Sequence, residues 1–205
     1  LYAMDGVVNQ AAKWSHMLGG QSHPSLTIRS IINRGGEQGA QHSQALHAWF
    51  SHVPGLRVVM PSSVIDARDL LIASVLCNDP VMFIDDRWLY DQEDVLPPIV
   101  ELDLKEQGPK ICTKGTDITI VASGHSSLLS REAAFNLENI GIFAEIIDVR
   151  VLNPFNSELI VKSVKKTKNL LVVDSGSISC GFSAEIIANV IEKLPLSCLK
   201  KPPFR

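Results

Sequence analysis

The chain has 205 residues, is 45% hydrophobic and 20% charged, and carries a formal net charge of −3. That length can bury a core for one large or two small domains, and the charge leaves no basic surplus for nucleic acid. No apolar run approaches the roughly 20 residues that span a bilayer, and Cys77, Cys112, Cys180 and Cys198 form no CxxC pair, a pattern of isolated reduced thiols in an intracellular protein.

The chain enters almost directly into a helix-like run, Val7, Val8, Ala11, Ala12 and Trp14, with no signal or transit sequence ahead of it, and so reads as starting in mid-domain. The glycine-rich turn Gly35-Gly36-Glu37-Gln38-Gly39-Ala40 lets backbone approach a ligand. Gln41-His42-Ser43-Gln44 follows where a helix should start. His42, Ala45, Leu46 and Trp49 then fall at i, i+3, i+4 and i+7, so His42 is expected in the first helical turn, facing inward with residues that want burial. A helix N-terminus and desolvation there favour a neutral imidazole able to donate or accept one hydrogen bond. The same residues are equally compatible with a core histidine satisfied by backbone.

Residues 56–60 read as a strand. Ser62 or Ser63 can cap a helix running to Cys77, with Asp66 in its first turn, and residues 81–85 form the next strand. Residues 86–116, with Pro97, Pro98, Gly108 and Pro109 and weak periodicity, read as an interdomain linker over the surface. The alternation restarts with strand 117–122, helix 126–140, strand 143–149, helix 157–166, strand 169–174 and helix 182–193. Short buried strands alternating with amphipathic helices imply parallel sheets built from βαβ units.

Several motifs suggest less than their residues invite. Ser123-Gly124-His125-Ser126-Ser127 joins a strand to a helix and could hold an anion on backbone amides, but such turns are common in α/β domains. Gly176-Ser177-Ile178-Ser179-Cys180-Gly181 lacks the GxGxxG spacing, and no GxSxG occurs. His16, His23, His47, His52 and His125 fall in no HExxH pattern, and His47 and His52 are expected at solvent or helix ends.

The strings GAQHSQALHAWFSHVPGLRVVMPSS, DARDLLIAS and DPVMFIDDRWLY carry a wider pattern, with MDGVVNQAAKW before them and DVRVLNPFNSELIVKSVKKTKNLLVVDSG after. Together they resemble the beta subunit of thiamine-diphosphate-dependent 2-oxo acid dehydrogenases, the pyruvate, branched-chain and acetoin E1 components. The resemblance covers nearly the whole chain. It implies two parallel-sheet α/β domains: a partial transketolase pyrimidine-binding-like domain at 1–88, a linker at 89–116 and a transketolase C-terminal-like domain at 117–205.

By the same resemblance His42 lines the active site and handles or positions a proton during acyl transfer. Glu37 and Gln41 contact the cofactor or a neighbouring loop, unless they are simply an exposed turn. Backbone carbonyls around Ser74, Val75, Cys77 and Asp79 match a potassium site of some family members. The implied cofactor is thiamine diphosphate with magnesium, held mainly by a partner chain, because the GDG element and following asparagine of the superfamily do not occur here.

The family's cofactor-activating glutamate lies upstream of the matching residues, and no residue here inherits its role; the tail also stops early, which suggests a fragment. Asp85-Asp86, where relatives commonly carry a glutamate, and Asn33-Arg34 before the glycines depart from the family pattern. The implied partners are an E1 alpha subunit, a second beta subunit and a lipoyl-bearing E2 acyltransferase, in the cytoplasm or in the mitochondrial matrix of a eukaryote. Two other readings stay open: a non-catalytic dimerisation or assembly module of the same fold, and a transketolase-like sugar enzyme.

Overall fold

A computed structural model describes residues 2–33 and 38–205. The chain divides into two units, one formed by residues 1–107 with 151–154, the other by 108–150 with 155–205. The segment expected as a linker at 89–116 is shared between them at Gln107/Gly108.

Unit 1 opens with a π-helical stretch, Asp5–Ala11, that continues as α1 (Ala12–Met17). Its sheet has the order β1 (Thr27–Ile32), β3 (Val81–Asp86), β2 (Arg57–Val59), β7 (Val151–Asn153). The first three strands are parallel, and β7 runs antiparallel to β2. β3 is buried along its whole length, which explains why Val81-Met82-Phe83-Ile84 is a continuous apolar run rather than an alternating one.

Helix α4 (Val64–Leu76) follows β2 as the spacing suggested. Ser63 is its N-cap: its Oγ accepts from Asp66 N at 3.1 Å and donates to Asp66 Oδ2 at 3.0 Å. Leu70 and Ala73 of α4 pack with Val59, Val81 and Phe83 of the sheet, and Leu104 and Val151 close the same cluster. Burying Leu70 or Phe83 contributes about 1.5–3 kcal/mol each.

Three strands were not visible in the sequence. β1 alternates imperfectly and lies at a sheet edge, β4 (Lys110–Thr113) sits inside the expected linker, and β7 has three residues, too few for periodicity. β7 returns the chain from the second half into unit 1, where Asn153 Nδ2 donates to Leu56 O at 2.6 Å and to Val53 O at 3.2 Å.

Unit 2 has the sheet order β4, β6 (Ala144–Asp148), β5 (Ile118–Ala122), β8 (Leu170–Val173). β5 pairs parallel with β6 and β8, while β4 runs antiparallel to β6. Helices α5 (His125–Glu138), α6 (Glu158–Thr167) and α7 (Phe182–Lys193) lie within two residues of their expected bounds. Thr119 of β5 shares hydroxyl hydrogen bonds of 2.7 Å with Ser163 and Thr167 of α6, so the buried polar groups between this strand and helix satisfy one another. Among the described residues no helix is long and apolar enough to cross a membrane.

Candidate functional site

In an open parallel sheet the natural binding crevice lies beyond the carboxyl ends of the strands. In unit 1 that edge is set by register: Ile32 of β1 stands beside Asp86 of β3, and Val59 of β2 beside Phe83. Ile32 ends β1 here with Asn33 after it, Pro61-Ser62-Ser63 follows β2 here, and Asp85 and Asp86 end β3 here.

The loop differs from the helix expected for it. Helix α2 (Gly39–His42) is a single turn that ends at His42, and α3 (His47–Ser51) begins five residues later. Asn33 Nδ2 donates to His42 O at 2.9 Å and to Gln38 Oε1 at 3.3 Å. The His42 carbonyl that a continuous helix would offer to residue 46 is thereby taken by a side chain, a local competition that ends the helix. Two corrections follow. His42 is exposed rather than inward-facing, at the end rather than the start of a helix, so the argument for a dipole-held neutral ring does not apply. The histidine buried in this segment is His47, 1% exposed on α3 beside Phe50, whereas Trp49 is 44% exposed. His52, the C-cap of α3, is exposed as expected.

Gln41 is exposed next to His42, and Glu37 lies outside the described residues. Ser74, Val75 and Cys77 stand at the carboxyl end of α4, with Asp79 just beyond. The Ser74 carbonyl accepts from Thr27 Oγ1 at 2.9 Å and from Cys77 N at 3.3 Å, and the Asp79 carboxylate accepts from Arg57 Nε at 2.8 Å. Of the four carbonyls, that of Ser74 thus already accepts from protein donors, whereas the Asp79 group paired with Arg57 is its side chain.

A cavity of about 390 Å³ at the carboxyl edge was not anticipated. Pro61, Val64, Ala67 and Leu89 give it apolar walls, and Arg29, Ser62, Ser63, Asp85, Asp86 and Tyr90 supply its polar groups. Arg29 and Asp85 form an ion pair. Arg29 Nη2 donates to the Tyr90 hydroxyl at 2.9 Å, and that hydroxyl donates to Asp85 Oδ2 at 3.4 Å. Burial pushes the Asp85 carboxyl above its ordinary value against the opposing pull of Arg29 and Tyr90. Burial also raises the Tyr90 phenol, with the Asp85 charge adding to the effect.

Asp86, 1% exposed, accepts from Trp88 N at 3.2 Å and caps the 3-10 turn Arg87–Leu89 that carries Tyr90 to the cavity. The signal available in the sequence was the acidic pair ending an apolar strand, with an arginine on a neighbouring one. Only the β1–β3 pairing, which sets Ile31 beside Asp85 and Arg29 two residues earlier, brings the partners together.

This donor and acceptor set suits a ring bearing N–H groups against an apolar wall. Among the described residues no three His, Cys, Asp or Glu side chains gather as a metal site.

Residues 2–92 match the transketolase pyrimidine-binding domain and residues 108–203 the transketolase C-terminal domain. The chain is 35% identical over 195 residues to the acetoin:2,6-dichlorophenolindophenol oxidoreductase subunit beta of Bacillus subtilis, covering 92% of this chain and 55% of that protein. It is 38% identical over 194 residues to the mitochondrial 2-oxoisovalerate dehydrogenase subunit beta 2 of Arabidopsis thaliana, covering 93% and 54%. It is also 38% identical over 208 residues to the mitochondrial pyruvate dehydrogenase E1 component subunit beta of Saccharomyces cerevisiae, covering 98% and 56%.

Among solved structures, an inactive beta4 tetramer of a split-gene transketolase shares the fold with a TM-score of 0.70 at 24% identity, over 87% of this chain and 55% of that one. The chain spans about half the length of the curated relatives it matches. With a pyrimidine-binding domain followed by a C-terminal domain, and with relatives of this kind along its length, the chain belongs to the transketolase family and is a homologue of the E1 beta subunits of 2-oxo acid dehydrogenases.

Proposed function

We propose that the chain works as an E1 beta subunit, joining an E1 alpha subunit and a second beta subunit in the oxidative decarboxylation of a 2-oxo acid and transfer of the acyl group to a lipoyl-bearing E2 carrier. The observation that carries this is the identity of 35–38% to beta subunits of the acetoin, branched-chain and pyruvate enzymes over 92–98% of the chain. A cytoplasmic setting, or the mitochondrial matrix in a eukaryote, goes with it.

Thiamine diphosphate, when bound, supplies the electron sink for decarboxylation. The carboxyl edge of unit 1 is where its ring end would sit: Gln41 and His42 stand exposed on the loop, and Pro61, Val64, Ala67 and Leu89 give the cavity apolar walls. For Glu37 the cofactor contact rests on the resemblance alone. Magnesium and the diphosphate are assigned to the alpha partner. Potassium is narrowed to the carbonyls of Val75, Cys77 and Asp79, since that of Ser74 already accepts twice.

His42 carries the proton-handling role. Its exposed ring, on a turn held by Asn33, can reach a substrate presented by a partner chain without first leaving a packed core. The expected result of His42→Ala in the reconstituted alpha–beta enzyme is a fall in acyl transfer of about 10²–10⁴-fold. Unchanged acyl transfer would remove His42 from the mechanism, and absence of any activity in the unsubstituted mixture would favour the non-catalytic assembly reading.

A further inference from the structure

The walls of the unit 1 cavity are built in two different ways. Pro61, Ser62, Ser63, Val64 and Ala67 line it from the β2–α4 connection and the first turns of α4. The Ser63 cap fixes the start of that helix, and Leu70 and Ala73 pack it on the sheet core. Leu89, Tyr90 and Gln92 line it from the segment that follows β3. That segment has one 3-10 turn, with Tyr90 N donating to Arg87 O and Gln92 N to Leu89 O, both at 3.1 Å. From Asp91 to Val100 every residue is exposed and none belongs to a helix or strand. Such a stretch has little burial of its own to fix its distance from α4.

Side chains tie it at two points. Next to β3, Asp86 accepts from Trp88 N at 3.2 Å and holds the near end. At the cavity, the Tyr90 hydroxyl accepts from Arg29 Nη2 at 2.9 Å and donates to Asp85 Oδ2 at 3.4 Å, while Arg29 and Asp85 are themselves paired. A residue of the wall is thereby joined to β1 and to β3 together. The next tie to α4, from Arg68 Nη1 to Pro97 O at 2.7 Å, comes only beyond the cavity.

A flat ring held between apolar walls depends on their spacing, because a gap of about 0.5–1 Å forfeits roughly a quarter to a half of the dispersion attraction between facing atoms. We propose that Arg29, Asp85 and Tyr90 form a latch that holds the 87–92 wall at the spacing of a planar heteroaromatic ring, making Tyr90 a positioning residue for the ring end of thiamine diphosphate. This rests on the reading that the ring end occupies this cavity. The latch acts through the wall, since the Tyr90 proton is already donated within the chain.

The probe is thiamine, which carries the ring end without the diphosphate and so needs neither magnesium nor a partner chain. It is titrated into the full chain and into Tyr90→Phe, Arg29→Lys, the double variant and Ala67→Trp, with binding followed by NMR shift changes and folding by melting temperature. The unsubstituted chain should bind thiamine weakly, and Ala67→Trp, which fills the cavity, should abolish binding. Tyr90→Phe and Arg29→Lys should each weaken it about fivefold, the loss of one hydrogen bond. The double variant should also lose about fivefold, not the roughly 25-fold of independent effects, because either substitution opens the same latch. A general loosening of the fold would instead lower the melting temperature and accumulate in the double variant. No thiamine binding, or binding undiminished in Ala67→Trp, would remove the ring end from this cavity and the latch with it. Binding lost in Ala67→Trp but unchanged in Tyr90→Phe, or losses that multiply in the double variant, would overturn the latch and leave the cofactor reading standing.

Discussion

Asp85 is held by Arg29 and Tyr90 yet burial dominates its proton equilibrium, raising its carboxyl above the ordinary value of 3.8. A raised carboxyl binds protons more readily in the folded than in the unfolded chain, so its ionisation costs stability, and that cost grows as pH rises from about 3.8 through the raised value. The difference in melting temperature between Asp85→Asn and the unsubstituted chain should therefore shift in the variant's favour across that window; a shift the other way would mean that the Arg29 pair outweighs burial. Glu145 behaves oppositely. Burial raises it, but hydrogen bonds from Lys166 and Ser163, with the Lys166 charge, more than offset this and leave it below its ordinary 4.5. Its contribution is complete above about 4.5 and disappears as pH falls through the lowered value. Lys166→Met leaves a 2%-exposed carboxylate without that partner and should cost about 1–3 kcal/mol near neutral pH in a denaturant titration.

At the scale of elements, the turn into β2 depends on Gly55. Its φ of +87° is open to glycine, and a Cβ there would stand 1.9 Å from the carbonyl oxygen of Ala12 in α1. Gly55→Ala must displace the helix from the turn and should destabilise unit 1 by more than about 1 kcal/mol, whereas Gly6→Ala, with no neighbour within 4 Å, should not; equal effects would remove the close approach as the cause. The elements legible from the sequence were those whose burial pattern is local: β3 as an apolar run, α4 behind a serine cap, and α5 to α7 behind their strands. β1, β4 and β7 escaped because edge strands and three-residue strands carry too little periodicity. The HSQ helix was misjudged because the residue that ends it, Asn33, lies nine positions upstream. The Arg29–Asp85–Tyr90 group was hidden for the same reason, since pairing of β1 with β3 spans more than 50 residues of sequence.

At the scale of the whole chain, unit 1 supplies a cavity at the carboxyl edge of its parallel strands, and unit 2 adds a second, mostly parallel sheet. The proposed function divides the cofactor between chains, with the ring end on this one and the metal-bound end on a partner. Titrating the chain with an E1 alpha subunit in the presence of thiamine diphosphate and magnesium, and following retained cofactor by calorimetry, tests that division most directly. Tight cofactor binding by the mixture and by neither chain alone is the expected result; an alpha–beta complex that forms without gaining cofactor affinity would contradict the shared site.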